Sequence, residues 1–411
     1  MIERAAGPAV RHPPWIAAYG FFRNENIDRN GARIMVKVWC CEFNRLPNGE
    51  LEDHANPDIV QQAFDDMLRR MASLDDKGFE GVFFAEHHFL KTMMPAPNLY
   101  IAALAQHTKR LKLGVLGNVL PFHQPWRLAE ELGMLDYLTH GRLEIGVASG
   151  VPFEYDYVNI AAADVRPIYA EALDILDLAA KGEYVTYSGK YFNYTGLPVM
   201  PRLRPETRRR KWMTLYSAAT AQNAAVRGYK ICSAYQSVEN ARKVTDAYFA
   251  KGEEIGVKLS ADDVGIRRQI NICATDAEAD ERHPELLARA RQLSAEIFQA
   301  ALARHDAAEG KTVDEGVKKT GIVDAASPTQ QGLKVPTDNL VSFEDEYVHG
   351  SPETVAEKII YQCRGIGADH FIAYHSPALD LPSVETLYAS HWPKVIKILA
   401  KANIGHSMAA A

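Results

Sequence analysis

The amino-acid sequence predicts an α/β protein built as a single (β/α)8 TIM barrel, with an N-terminal arm and a long insertion between the seventh and eighth strands. Two observations carry that prediction, and a third says where its chemistry would lie. Eight short apolar runs recur along the 411 residues, and they are continuous rather than alternating, as strands covered on both faces are. Segments with helical spacing separate them, the alternation that builds a parallel sheet. An acid–imidazole stretch, Glu86-His87-His88, closes the second run, at the strand end where such barrels gather their chemistry. A doubly wound open sheet is the competing layout, and the count of eight favours the barrel. The chain is long for one domain, but α/β barrels reach such lengths as one unit.

Residues 1–34 form a polar arm studded with aromatics, and MVKVWC (35–40) is the first strand. The helix expected over 58–77 sets Val60, Phe64, Met67, Met71 and Leu74 at helical spacing, and Gly78 stops it. GVFFAE (81–86) is the second strand, 101–108 a helix and LKLGVLGNVL (111–120) the third strand. Pro125 opens a helix with Leu128, Leu132, Leu135 and Leu138 on one face, closed near Gly141. RLEIGVA (142–148) is the fourth strand; a helix over 164–181 follows, then a hairpin over 183–196 around Ser188-Gly189. KWMTLY (211–216), YKICSAY (229–235), RRQINICAT (267–275) and DHFIAYH (369–375) are strands five to eight. The barrel domain is expected over 35–402 and a C-terminal tail over 403–411. Residues 276–348 break the regular spacing and are too long for a plain connector, so a lid or a disordered segment is expected there.

Composition narrows the function classes. A net charge of −6 and a pI of about 6.2 leave no basic field for nucleic acid or an anionic membrane. The one basic run, Arg208 to Lys211, reads as a solvated loop edge. No stretch reaches the ~18 apolar residues of a membrane span, and no signal-peptide core is visible. The five cysteines form no CxxC pair and read as buried thiols of a reducing compartment, so a cytoplasmic location is expected.

Alternation along a strand sends neighbouring side chains to opposite faces, so His87 and His88 cannot both enter the barrel mouth. That argues against both as ligands of one metal, and no His-x-His pair is present. The residues alone leave open whether the two imidazoles cap a strand or whether one of them is catalytic.

GFEGVFFAEHHF (78–89) and NVLPFHQPWRLAEELGMLDYLTHGRLEIGVASG (118–150) together resemble the second-strand and third-to-fourth-strand signatures of the bacterial luciferase-like monooxygenases. WMTLYSAATAQNAAVRGYK (212–230) and GSPETVAEKI (350–359) are similar to later blocks, in family order. The resemblance implies a TIM barrel, a reduced flavin and a homodimer, with the arm around Trp15, Tyr19, Phe21 and Phe22 crossing to a partner or folding over its own barrel.

It also implies site residues. His87 matches the active-site histidine, and an imidazole there can hold or move a proton near neutral pH. Gly117 and Asn118 fall where the family's backbone approaches the flavin ring; the Asn118 amide either pairs with the ring or holds a strand-end turn. Ser149-Gly150 closes strand four, and Ser149 stands where some members carry an arginine for the flavin phosphate. Ser217 and Thr220, at a helix start after Tyr216, form a phosphate site or a plain N-cap. Phe153, Tyr155 and His123 are candidates for the substrate pocket, and the aromatics there suggest a largely apolar substrate. Glu130 and Arg142 read as an ion pair or cap, Glu86 and His88 as structural.

No GxGxxG follows any expected strand, so no built-in nicotinamide domain is visible and a separate flavin reductase is implied. The expected function is an FMN-dependent monooxygenase, in which reduced FMN and O₂ give a C4a-(hydro)peroxyflavin that oxygenates a small organic substrate. The rivals are F420-dependent hydride transfer, a non-catalytic flavin-binding relative, and a metal-dependent barrel hydrolase. For the last, His87, His375 and Glu86 are too few ligands, and no metal is expected. The substrate, the type of oxygenation and the reductase are not written in the chain.

Overall fold

The computed structural model describes residues 35–43, 55–89, 93–182, 184–290, 292, 343–375 and 379–404. The N-terminal arm with its four aromatics, the stretch 293–342 of the insertion and residues 405–411 lie outside them. Eight parallel strands close into a barrel: β1 (Lys37–Glu42), β2 (Gly81–Phe84), β3 (Lys112–Val119), β4 (Leu143–Ala148), β5 (Lys211–Thr214), β6 (Lys230–Ser233), β7 (Val264–Ile272) and β8 (His370–His375). Closure runs through Lys37↔His370 between β1 and β8 and Ile231↔Val264 between β6 and β7. The helices are α1 (Pro57–Ala72), α2 (Pro97–Ala105), α3 (Pro125–Leu138), α4 (Ala162–Lys181), α5 (Ala218–Arg227), α6 (Val238–Glu254), α7 (Pro352–Ile366) and α8 (Trp392–Ile404).

Local chemistry sets several boundaries. Asn56 caps α1, its side chain accepting from the Asp58 N–H at 3.0 Å, with Pro57 at the first helical position. Ser351 and Pro352 start α7 in the same way, and Gly367 ends it at φ +83°. Helix α2 starts at Pro97, earlier than its expected 101–108, because its nearly all-round apolar surface hid the boundary. β7 begins three residues before the expected 267, since Val264 to Ile266 already pair with β6. The end of the insertion is not loop: Tyr347–Gly350 is a further parallel strand against the C-terminal half of β7.

The core has two compartments. Between sheet and helices, Met67 and Met71 of α1 pack with Val38, Phe84 and Leu113 in one continuous apolar layer. Inside the barrel, Trp39, Phe83 and Trp212 form a packed plug, Trp39 stacked on Phe83 at 4.5 Å and Trp212 edge-on to both. Gly81 and Gly114 make room for it: a Cβ at Gly81 would stand 2.4 Å from the Trp39 ring, and one at Gly114 2.9 Å from Phe83. Below the plug, Trp39 Nε1–H donates to His370 Nδ1 at 2.8 Å and Trp212 Nε1–H to Glu144 at 2.6 Å. Asp262 takes His370 Nε2, Lys37 and Lys230, which closes the N-terminal mouth with paired charges. All five cysteines are buried free thiols, and among the described residues no helix is long and apolar enough to cross a membrane.

Candidate active site

Above the plug, the C-terminal strand ends surround a cavity of about 790 Å³. That is near the top of the roughly 300–1,000 Å³ usual for ligand pockets. Its wall contains Phe43 from the end of β1, His87 after β2, Gly117 in β3, Ser149 and Gly150 after β4, Tyr216, Ser217 and Thr220 after β5, and Arg267 of β7.

One side is an acid–imidazole network. Glu86, buried just past β2, accepts from the Val119 N–H (2.9 Å), from His123 Nε2 (3.0 Å) and from His88 Nε2 (3.0 Å). Burial pushes its carboxyl up, but the bonds from His123 and His88 outweigh it and hold it down to about 2. The same bond to Glu86 raises the His88 imidazole against the effect of burial. Glu86 therefore brackets the β2 end to β3 and also lines the cavity. His87 turns the other way. It stacks on Phe43 with centroids 5.4 Å apart, and its Nδ1 lies 3.0 Å from Glu154 Oε1. Glu154 belongs to the short helix Pro152–Tyr157, is 0% exposed, and also receives the His88 backbone N–H at 3.1 Å. With Nδ1–H donating to that carboxylate, the His87 Nε2 lone pair is left for the cavity.

The opposite side is a helix N-terminus. Ser217 caps α5, its Oγ accepting from the Thr220 N–H at 3.3 Å and lying 3.0 Å from the Thr220 hydroxyl. Ala218 and Ala219 line the cavity, and the first N–H groups of a helix have no acceptor inside it. Lys243 and Arg166 line the same cavity and add positive charge. Three buried polar atoms on cavity-lining residues have no hydrogen-bond partner among the described residues: Thr214 Oγ1, Gln236 Oε1 and Glu154 Oε2. Among the described residues, no group of three His, Cys, Asp or Glu is arranged to hold a metal.

Of the residues singled out in the sequence, His87, Gly117, Ser149, Gly150, Tyr216, Ser217 and Thr220 meet at this cavity. Three do not. Asn118 is not in the lining; its side chain donates to the Gly146 carbonyl (2.9 Å) and accepts from Asn98 (3.0 Å), so it ties β3 to β4. His123 sits behind the wall on Glu86. The Tyr155 hydroxyl donates to the Ser149 carbonyl and pins the β4 exit instead of lining the pocket. The Phe153 side chain lies outside the described residues. Gly117 has a second reason to be glycine: a Cβ there would lie 2.5 Å from the Val147 backbone. Arg142 caps, donating to the carbonyls of Ala105, Thr108 and Leu111 rather than pairing with Glu130.

The local sequence pattern does not single out Glu154, Gln236 and Arg267. The signals it offers are a charge inside an aromatic stretch, PFEYDY, and an arginine pair inside an apolar strand.

The profile of the luciferase-like monooxygenases matches residues 46–370. Protein y4wF of Sinorhizobium fredii, uncharacterized, is 32% identical over 224 residues, 53% of this chain and 65% of its own. The alkanal monooxygenase beta chain of Photobacterium leiognathi is 26% identical over 217 residues, 52% of this chain and 66% of its own. These matches thus span just under two thirds of each relative. Among solved structures, the oxygenating constituent of 3,6-diketocamphane monooxygenase from Pseudomonas putida, in complex with FMN, shares the fold. It superposes with a TM-score of 0.62 at 20% identity, over 88% of this chain and 98% of that one. With a family match across most of its length, the chain belongs to the luciferase-like monooxygenases.

Proposed function

We propose that the protein is the oxygenase component of a two-component flavin monooxygenase, taking reduced FMN from a separate reductase. The observation that carries this reading is the polarity of one cavity: a capped helix N-terminus with cations on one side and a carboxylate-held imidazole on the other. Ser217, Thr220 and the first N–H groups of α5 suit the phosphate, with Lys243 and Arg166 supplying charge. Gly117 and Tyr216 would flank the ring, and the unpartnered Thr214 and Gln236 oxygens are ready for its polar edge. Reduced FMN would supply the two electrons that let O₂ place one oxygen atom in substrate and release the other as water. His87 would take or return a proton at Nε2, with Glu154 fixing the ring's tautomer and angle. The apolar plug below and Phe43 beside His87 give that part of the site an apolar lining, which would disfavour water there once a flavin fills the cavity.

The deciding test is anaerobic titration of the purified protein with reduced FMN, oxidised FMN and F420, followed by admission of O₂. Tighter binding of reduced FMN, with O₂ uptake, supports the proposal. Preference for F420 with no O₂ uptake replaces it with hydride transfer, and no binding of either reduces the likeness to one of fold.

A further inference from the structure

The cavity floor holds a cation to which the proposed flavin chemistry gives no role. Arg267, on β7, lies in a cage of aromatic rings, its guanidinium carbon 4.6 Å from the Tyr235 centroid, 5.6 Å from Tyr374 and 5.8 Å from Phe43. Tyr235 is held at φ +53°, a strained conformation for a tyrosine, and its N–H bonds Glu346 at 3.0 Å. No carboxylate lies within ion-pair distance of Arg267 among the described residues. Glu346 is the carboxylate that acts on it most, yet its Oε2 already serves both the Tyr235 N–H and Arg268 (3.4 Å). Glu346 is thus the ion-pair partner of Arg268 and acts on Arg267 only from beyond pairing distance, its Oε1 having no hydrogen-bond partner among the described residues. The Cys41 thiol, hydrogen-bonded to Arg267, is pushed up to about 12 by burial and stays neutral, so it supplies no counter-charge. A guanidinium desolvated on several sides and facing an open cavity is a receptor for a planar anion: its fork matches a carboxylate, and flanking rings hold it without competing for its N–H groups.

We propose that Arg267 binds a planar, delocalised oxyanion at the floor of the cavity. The anion is carried by an organic substrate as a carboxylate or is the deprotonated ring of the reduced flavin. This rests on the flavin reading for the second source only. Phe43 touches both Arg267 (5.8 Å) and His87 (5.4 Å), so an anion seated on the arginine lies one ring away from the imidazole. The site would then choose among apolar molecules by a single negative charge, not by shape alone.

The test uses flavin-free full-length protein and a matched pair of probes, 2-naphthoate and 2-naphthamide, titrated calorimetrically into the wild type, Arg267→Gln and Arg267→Lys. The expected result is roughly tenfold tighter binding of the acid than the amide by the wild type. That preference should vanish in Arg267→Gln and return in part in Arg267→Lys. A second arm titrates reduced and oxidised FMN anaerobically into the same three proteins. Loss of affinity for reduced FMN alone in Arg267→Gln, with the naphthoate preference unchanged, assigns the anion to the flavin. The proposal is overturned when the wild type binds both probes equally and Arg267→Gln leaves reduced FMN unchanged. It is equally overturned when a naphthoate preference and reduced-FMN affinity both survive the glutamine variant, which would put the anion site elsewhere. Should Arg267→Gln not fold, the wild-type pair and the lysine variant decide the same question. A wild type that prefers naphthoate but binds no FMN sinks the monooxygenase reading and leaves this one standing.

Discussion

The two mouths of this barrel are built from the same residue types and treat them oppositely. At the N-terminal mouth, Asp262, Lys37, Lys230, His370 and the two indole N–H groups are all bonded to one another or to Glu144. At the C-terminal mouth, Glu154, Thr214 and Gln236 each present a buried oxygen without a partner, and Arg267 has no ion pair among the described residues. Unmatched polar groups cost stability, so a fold keeps them where a ligand will complete them. The contrast sets a self-paired end against an end with unmatched groups, the candidate site, and each variant below should damage one property and spare the other.

The largest effect is expected at His87. His87→Asn should lower product formation by about 10²–10⁴-fold while leaving reduced-FMN affinity within about twofold, as for loss of a proton-transfer group. Glu154→Gln should fall between that variant and the wild type, because it keeps the hydrogen bond and weakens only the charge. Product formed per O₂ consumed is the readout, and equal losses of binding and turnover would make His87 a packing residue.

At the other mouth the expected change is in stability. Burial lowers the His370 imidazole to about 4 from an ordinary value near 6.5, so the folded protein holds it neutral. The unfolded chain then binds the extra proton between those values, and stability falls as pH drops from about 6.5 towards 4. The full effect is about 3 kcal/mol, the attraction of Asp262 for the charged imidazole being already contained in that lowered value. His370→Gln should flatten the slope of urea midpoint against pH in that window. Glu86 acts lower: held at about 2, it contributes stability that is complete above its ordinary 4.5 and lost as pH falls through about 2. An unchanged slope in the His370 variant would mean that the N-terminal mouth does not titrate as a unit.

The smallest effect tests the place where the two properties overlap. Ser217→Ala removes the α5 cap and should cost about 1 kcal/mol of stability. If the phosphate sits there, FMN affinity should fall and riboflavin affinity should not. A stability loss with FMN unaffected would leave Ser217 as a cap alone.

Much of this is legible in the chain, and what is not has a definite cause. The eight strands are readable because strands covered on both faces become unbroken apolar runs, and helix starts are readable where Pro125, Ser217 and Ser351 mark them. The Glu86-His87-His88 stretch can be placed at a strand end because the strands are ordered by sequence, but the choice of His87 over His88 rests on the family resemblance. Asn118 misleads because the β3–β4 register shifts between Val115 and Asn118. A bulge reverses which face the next side chains take, and no local pattern announces it. The Arg267 cage joins Arg267 from within β7 to Phe43 just past β1, Tyr235 just past β6 and Tyr374 near the end of β8, whose proximity exists only after closure.

The sequence by itself determined the alternation of elements, the number of strands and the strand ends at which chemistry collects, since all three follow from local periodicity and caps. Only the tertiary structure decided which polar groups at those ends are bonded to each other and which face the cavity unmatched. That difference depends on the directions of side chains brought together from distant strands, and direction is set by register and closure rather than by neighbours in the chain.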